Sequence, residues 1–227
     1  MLFDMPRFDE SYITRALDAI YETVILNDVA LHVSISNMDL LSRLTRYLFA
    51  SSGNLFSTRK IAGYLTSGGR KTAPETVDAY IRALCDAYIL RECEQTGLAG
   101  KKVLRPLRKF YPVDTGLRNL VTGFSPDDLG FQLEDVVYVE LLRRGWSATV
   151  GTLDSGEVDF AAQRCSERTY YQVSETVLDQ TVYERELKPL KAISDAFEKV
   201  LIVRDSSRTG TTETGIKIIS LKDWLTE

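Results

Sequence analysis

Glu157 and Asp159, two carboxylates one residue apart in the segment GEVDFAAQ, are where the sequence first points to chemistry. Read as a strand, the segment sends Glu157, Asp159 and Ala161 to one face and Val158, Phe160 and Ala162 to the other, because side chains alternate with a period of two. The next segment, TYYQVS, puts Tyr171 and Val173 on one face and Gln172 and Ser174 on the opposite one. Pairing across the RCSER turn then brings Asp159 towards Gln172, and Glu134 arrives from the preceding helix. The result is an oxygen-rich cluster, whose bland counterpart is a set of solvated or salt-bridged surface acids.

Residue counts exclude other chemistries. His32, inside the apolar run VALHVSI, is the single histidine, so no HExxH zinc site exists and His-containing triads lack support. Cys85, Cys93 and Cys165 are too few and too scattered for a disulfide framework or a zinc ribbon, and read as reduced, buried thiols. No stretch approaches the roughly 18 to 20 apolar residues of a membrane helix. The opening MLFDMPRFDE is neither a signal nor a transit peptide, so the expectation is a cytoplasmic protein with no membrane partner.

Charge is segregated along the chain. The net charge is -4, yet residues 57–112 carry eleven basic and five acidic residues between flanks of net charge -3 and -7. A basic middle between acidic flanks suits a nucleic-acid-binding module, with a solvated charge run as the alternative. Arg59, Lys60, Arg70, Lys71, Arg82, Lys101 and Lys102 are the candidate phosphate contacts, since long cationic side chains on a rigid element match a polyanion. Tyr170 and Tyr171 could stack on bases or simply pack.

These groups need elements to carry them. Ile13, Leu17, Ile20, Tyr21, Val24 and Ile25 recur at helical spacing within a helix expected over Asp9 to Val33. Asn37 caps a second helix, Ser57 a third over Thr58 to Leu65, and Thr72 with Glu75 forms a capping box, with Pro74 in the first turn, for a fourth. YILREC and VLRPLRKFYPV follow as a basic hairpin across TGLAGKK. Helices followed by such a hairpin give the winged-helix order, whose last helix enters a major groove while the hairpin reaches neighbouring phosphates. The second half reads as a helix from Leu129 to Arg144, three strands, a helix from Asp179 to Phe197, two strands, and a short helix from Leu221 to Leu225. The expected division is a helical segment over 1–36, a winged helix over 37–112 and an α/β domain over 113–227.

Glu134 on a helix, Asp159 on a strand after a hairpin, and Gln172-Val173-Ser174 on the adjacent strand resemble the PD-(D/E)XK nuclease-like core. The strings YETVILNDVA, KFYPVDTGLRNLVTG, GFQLEDVVYVELLRRGW, GEVDF, YYQVS and TVYERELKPL resemble the C-terminal region of a bacterial and archaeal AAA-type ATPase family. In that family the motor is followed by a winged helix and a nuclease-like domain of unknown function. The resemblance covers nearly the whole chain and implies a restriction-endonuclease-like mixed sheet with flanking helices. It also implies a metal site, Mg²⁺ or Mn²⁺ on Asp159 and Glu134, with Glu134, Asp159 and Gln172 catalytic if the site is active.

Two departures bear on function. No GxxxxGK[ST] phosphate loop occurs, so no ATP site and no ATPase activity are expected of this chain. Where an active nuclease carries acid-x-lysine, this sequence has Gln172 and Ser174, which supply no charge. Glu157, Ser174 and Arg185 are the supporting groups, with Glu175 and Thr181 nearby. The leading expectation is therefore a DNA-binding module with a degenerate nuclease-like domain. The alternatives are a Mg²⁺-dependent nuclease, and a scaffold that docks protein partners or further copies of itself.

Overall fold

The computed structural model describes residues 9–23, 29, 37–69, 71–98, 107–154, 156–205 and 208–227. Helix α1, Glu10–Tyr21, begins where the Asp9 carboxylate accepts the Tyr12 N–H at 2.7 Å. Most of the remainder of the long first helix expected from sequence, His32 included, lies outside the described residues. Helix α2, Met38–Ala50, is capped by Asn37, and α3, Thr58–Ser67, by Ser57. Helix α4, Pro74–Asp86, differs from expectation: Ala73 is its N-cap, without a side-chain bond, and the Thr72–Glu75 box does not form the cap. Pro74 explains this, because a proline is preorganised for the first helical position and so puts the cap at the residue before it.

Strands β1, Leu90–Gly97, and β2, Arg108–Pro112, pair antiparallel. Helix α5, Thr115–Thr122, follows and was not anticipated; Asp114 caps it by accepting the Leu117 N–H at 2.8 Å. Then come α6, Leu129–Arg143, the strands β3, Ser147–Leu153, β4, Gly156–Arg164, and β5, Glu167–Ser174, and α7, Gln180–Ala192. Helix α7 stops five residues short of Phe197, because Ile193 is already extended and Asp195 accepts the Phe197 N–H in the turn to the next strand. β6, Glu198–Val203, β7, Gly210–Thr211, β8, Lys217–Ser220, and α8, Leu221–Thr226, complete the chain.

Among the described residues all eight strands form one mixed sheet in the order β2-β1-β3-β4-β5-β6-β8-β7. The sheet runs across the boundary drawn at residue 112, because the second half of β1 pairs parallel with β3 at Gln95–Val150 and Thr96–Gly151. One apolar core joins α2, α3 and α4 through Leu41, Leu44, Ile61 and Ile81, with Phe110 of β2 closing it. A second fills the space between the sheet and α6, with Val137, Leu141, Phe160, Ala162 and Tyr171. The third lies under α7, with Val158, Ala161, Tyr170, Leu187 and Leu190.

That partition corrects the simple alternation expected for β4. Val158 packs with Ala161 under α7, while Phe160 and Ala162 pack under α6. The pairing shows why: Thr149 faces Ala161 and Gly151 faces Val158, so β4 holds one extra residue opposite β3. A β-bulge of this kind re-aims the side chains at the bulged position. Here it turns the stretch around Asp159.

Among the described residues no helix is long and apolar enough to cross a membrane. Of the three thiols expected to be buried, Cys93 is, Cys85 is partly so, and Cys165 is exposed in the β4–β5 turn, where a strand register puts no core against it.

Candidate functional site

β2 reads Arg-Lys-Phe-Tyr-Pro, and its period of two separates Phe110, in the helical core, from Lys109 and Tyr111, which face α6 and β4. Tilted ring contacts of Tyr111 with Tyr138 and Phe160, with centroids 4.7 and 5.7 Å apart, hold this facing. Lys109 is consequently only 1% exposed. Its Nζ lies 2.9 Å from Glu157 Oε1, 3.5 Å from Glu134 Oε2 and 3.9 Å from Asp159 Oδ1. A lysine from the hairpin thus occupies the middle of the acidic cluster assembled by α6 and the bulged strand.

Tyr111, Val173 and Gln172 tie the cluster down further. Tyr111 donates its hydroxyl to Glu134 Oε2 at 3.1 Å, and the Val173 N–H donates to Asp159 Oδ2 at 2.9 Å. Gln172 does approach Asp159, but on the α7 side: its Oε1 accepts the Asp159 N–H at 3.3 Å and its Nε2 donates to Glu186 at 3.1 Å. Burial works against the Lys109 ammonium, yet the charges of Glu134, Asp159 and Glu157 outweigh it and hold its pKa above the ordinary value. Burial also raises Asp159 far above the usual carboxylate range, with the Glu134 charge adding to it. Glu134 is raised by burial as well, only partly countered by Lys109 and Tyr111. One ammonium among three carboxylates leaves an excess of negative charge, which adds to burial in raising Asp159 and Glu134.

A neighbouring residue is exposed to the same problem without a lysine. Asp135, the next residue of α6, is buried, its Oδ2 has no hydrogen-bond partner among the described residues, and burial pushes its pKa up to about 7 against the Ser52 hydrogen bond and the Arg118 charge. Ser52 Oγ touches both Asp135 Oδ1 and the Phe110 carbonyl. A serine has one proton, so both contacts are hydrogen bonds when Asp135 is protonated and donates to Ser52, which then donates to Phe110. The same turn holds Gly53 at φ +75°, where an added Cβ would meet Phe131 at 2.8 Å and Glu134 at 3.2 Å. That glycine lets the end of α2 approach the site.

A family described as a domain of unknown function, DUF8612, matches residues 5–128, more than half of the chain. The chain belongs to the DUF8612 family. The match includes Lys109 and Tyr111 and ends before Glu134, so the DUF8612 part contributes the cation and the rest of the chain the acids. An uncharacterized protein of Haemophilus influenzae is 33% identical over 217 residues, 96% of this chain and 53% of its own length. Another, from Methanocaldococcus jannaschii, is 27% identical over 192 residues, 81% of this chain and 43% of its own length. The chain spans about half the length of these curated relatives.

The donor set does not suit the divalent cation expected at Asp159 and Glu134. Among the described residues no three His, Cys, Asp or Glu side chains converge as metal ligands, an ammonium holds the position between the carboxylates, and the Gln172 carbonyl is turned to the backbone. Mg²⁺ needs near-octahedral oxygen ligation that this arrangement does not offer. The supporting groups lie elsewhere as well: Ser174 donates to the Thr176 carbonyl at 3.0 Å, Arg185 pairs with Glu186 at 2.8 Å, and Glu175 pairs with Arg204 at 3.2 Å. Only Glu157 joins the cluster.

Of the candidate phosphate contacts, Arg59, Lys60, Lys71 and Arg82 are exposed, while Arg70, Lys101 and Lys102 lie outside the described residues. Arg108, also in the basic segment, is spent internally on Asp78 at 2.7 Å and Glu92 at 3.3 Å. Tyr170 and Tyr171 are both buried, Tyr170 donating to Asp195 and Tyr171 packing on Trp224, so neither offers a face to a base. Lys109 went unrecognised in the sequence. Its one visible signal was a lysine sharing a strand face with a tyrosine just before the apolar end of the hairpin.

Proposed function

We propose that this chain is the nucleic-acid-binding, non-cleaving part of a longer protein. In this reading α2, α3, α4 and the β1–β2 hairpin form a winged helix, and the remainder is a nuclease-like domain whose cation position is filled from within. The observation that carries it is the Lys109 ammonium 2.9 to 3.9 Å from three carboxylates, which gives these acids a cation of their own where a nuclease would gather a metal. The length of the relatives supports a missing partner half, for which the motif resemblance suggests a AAA-type motor.

Charge selects the contact surface. Helix α4 carries Glu75, Asp78 and Asp86 against the single Arg82, so it suits a polyanion poorly. The first turn of α3 carries the exposed Arg59 and Lys60 and no acid of its own, and a helix N-terminus favours phosphate. Duplex DNA binding measured by fluorescence anisotropy over a salt series tests this. The expected result is binding that weakens steeply with salt and is reduced by Arg59→Glu with Lys60→Glu, and DNA that stays intact with Mg²⁺ or Mn²⁺. Cleavage abolished by chelation and by Asp159→Ala overturns the non-cleaving reading. The acidity of α4 favours a second reading, a protein-docking module, which absence of DNA binding at low salt would select.

A further inference from the structure

At the far end of α6 from the acidic cluster, a cleft of about 550 Å³ is lined by Arg143, Arg144, Trp146, Arg164, Tyr171 and Trp224, with the C-terminal residues Leu225 to Glu227 along its rim. Ten residues of helix separate Glu134 from Arg144, about 15 Å at 1.5 Å per residue, so the two sites are distinct. The volume falls in the range of about 300–1,000 Å³ typical of small-molecule sites.

Two features of the lining point to a ligand. The first is paired planar groups: the Arg144 guanidinium lies 4.5 Å from the Trp224 ring centroid, and that of Arg164 lies 4.7 Å from Trp146. A guanidinium laid on an indole keeps its opposite face for a second flat group, as in base stacking on arginine. The second is unspent charge. Arg143 and Arg144 share one carboxylate, Glu140, through bonds of 2.6 Å. Arg144 also donates to the Trp224 carbonyl at 2.6 Å, which orients it, yet the Nη1 groups of both arginines have no acceptor among the described residues. Arg164, by contrast, uses all three of its nitrogens, two on Glu167 and one on the Arg144 carbonyl.

We propose that this cleft binds a nucleotide unit, with its phosphate on the free donors of Arg143 and Arg144 and its base against the outer face of the Arg164–Trp146 stack. Two arginines around one carboxylate leave a positive charge for a phosphate, the Glu227 carboxylate in the lining being paired with Lys217 at 3.2 Å, and forked donors match its oxygens. The unit is a free mononucleotide or a residue of a single strand. This site is independent of the duplex surface on α3.

The chain has two tryptophans, and both line the cleft, so intrinsic fluorescence reports on it directly. The experiment titrates the chain at low salt with AMP, a short oligothymidylate and inorganic phosphate, exciting at the red edge where nucleotides do not absorb. Saturable quenching by AMP is expected, weakened about tenfold by Arg143→Glu, which removes a charge-assisted donor and reverses its charge. Arg143 is 69% exposed, so its replacement leaves folding intact, and Arg164→Glu serves as a second variant. Much tighter binding of the oligothymidylate than of AMP identifies a single strand as the source, and equal affinity a free nucleotide. The proposal is overturned by absence of saturable quenching with either, by quenching unchanged in both variants, or by phosphate binding as tightly as AMP. Loss of duplex binding in the α3 variant would leave these outcomes untouched.

Discussion

Helix α6 carries ion pairs at both ends, and the two ends behave differently. Towards its N-terminus, Glu134 meets Lys109 in a buried cluster in which Asp159 and Lys109 are 5% and 1% exposed. Near its C-terminus, Glu140 meets Arg143 and Arg144 at the surface, with contacts of 2.6 Å that are shorter than any in the buried cluster. The distances alone would rank the exposed set as the stronger. Burial reverses that ranking, since water screens the surface pair while the interior leaves any unbalanced charge at high cost. At one end the carboxylates are raised; at the other the Arg143 hydrogen bond, with Arg144, pulls Glu140 down to about 2.

Removing the buried cation breaks the comparison most strongly. Lys109→Met leaves three carboxylates without a counter-charge and is expected to cost about 3–5 kcal/mol in chemical denaturation. The sign of the pH effect follows from the raised acids. A carboxyl whose folded pKa lies above its unfolded value contributes stability that is present at low pH and lost as pH rises through the folded pKa. Loss of Lys109 raises Glu134 and Asp159 further, so the deficit is larger at pH 8 than at pH 5. Adding Glu134→Gln to Lys109→Met restores part of the loss.

A smaller effect is expected one residue along. Asp135 has a folded pKa of about 7 against an ordinary 3.8, so its contribution fades as pH rises towards and through 7. Asp135→Asn removes that titration. The variant is expected to be more stable than the parent at pH 8 by roughly 1–3 kcal/mol, because the neutral amide buries no charge, with the difference shrinking at pH 5. A pH–stability profile unchanged by the substitution would mean that Asp135 carries no titration in this range. At the exposed end Arg143→Ala is expected to leave the denaturation midpoint unchanged, despite removing two contacts of 2.6 Å.

What could be read from the chain depended on how local each feature is. Asn37 and Ser57 cap their helices as expected, because a cap needs only a side-chain oxygen and an N–H three residues on. The strands around Asp159 and Gln172 were legible, and so was their approach, since a short hairpin turn decides both. Helix α5 was missed: Thr115–Thr122 is short, and its Gly116 and threonines are weak helix formers held by the Asp114 cap and by packing. The ends of β4 were legible but its facing was not, because a bulge depends on the partner strand rather than on the alternation in one sequence.

By itself the sequence determined most of the helix and strand order, the caps at Asn37 and Ser57, the absence of a phosphate loop from these residues and the uncharged side chains of Gln172 and Ser174 on the strand beside Asp159. Only the tertiary structure decided which cation meets these acids. Lys109 lies 25 residues before Glu134 and 50 before Asp159, and it reaches them because β1 bridges the hairpin to β3 in one sheet. Local spacing governs which side chains share a face, whereas long-range strand pairing governs which faces meet.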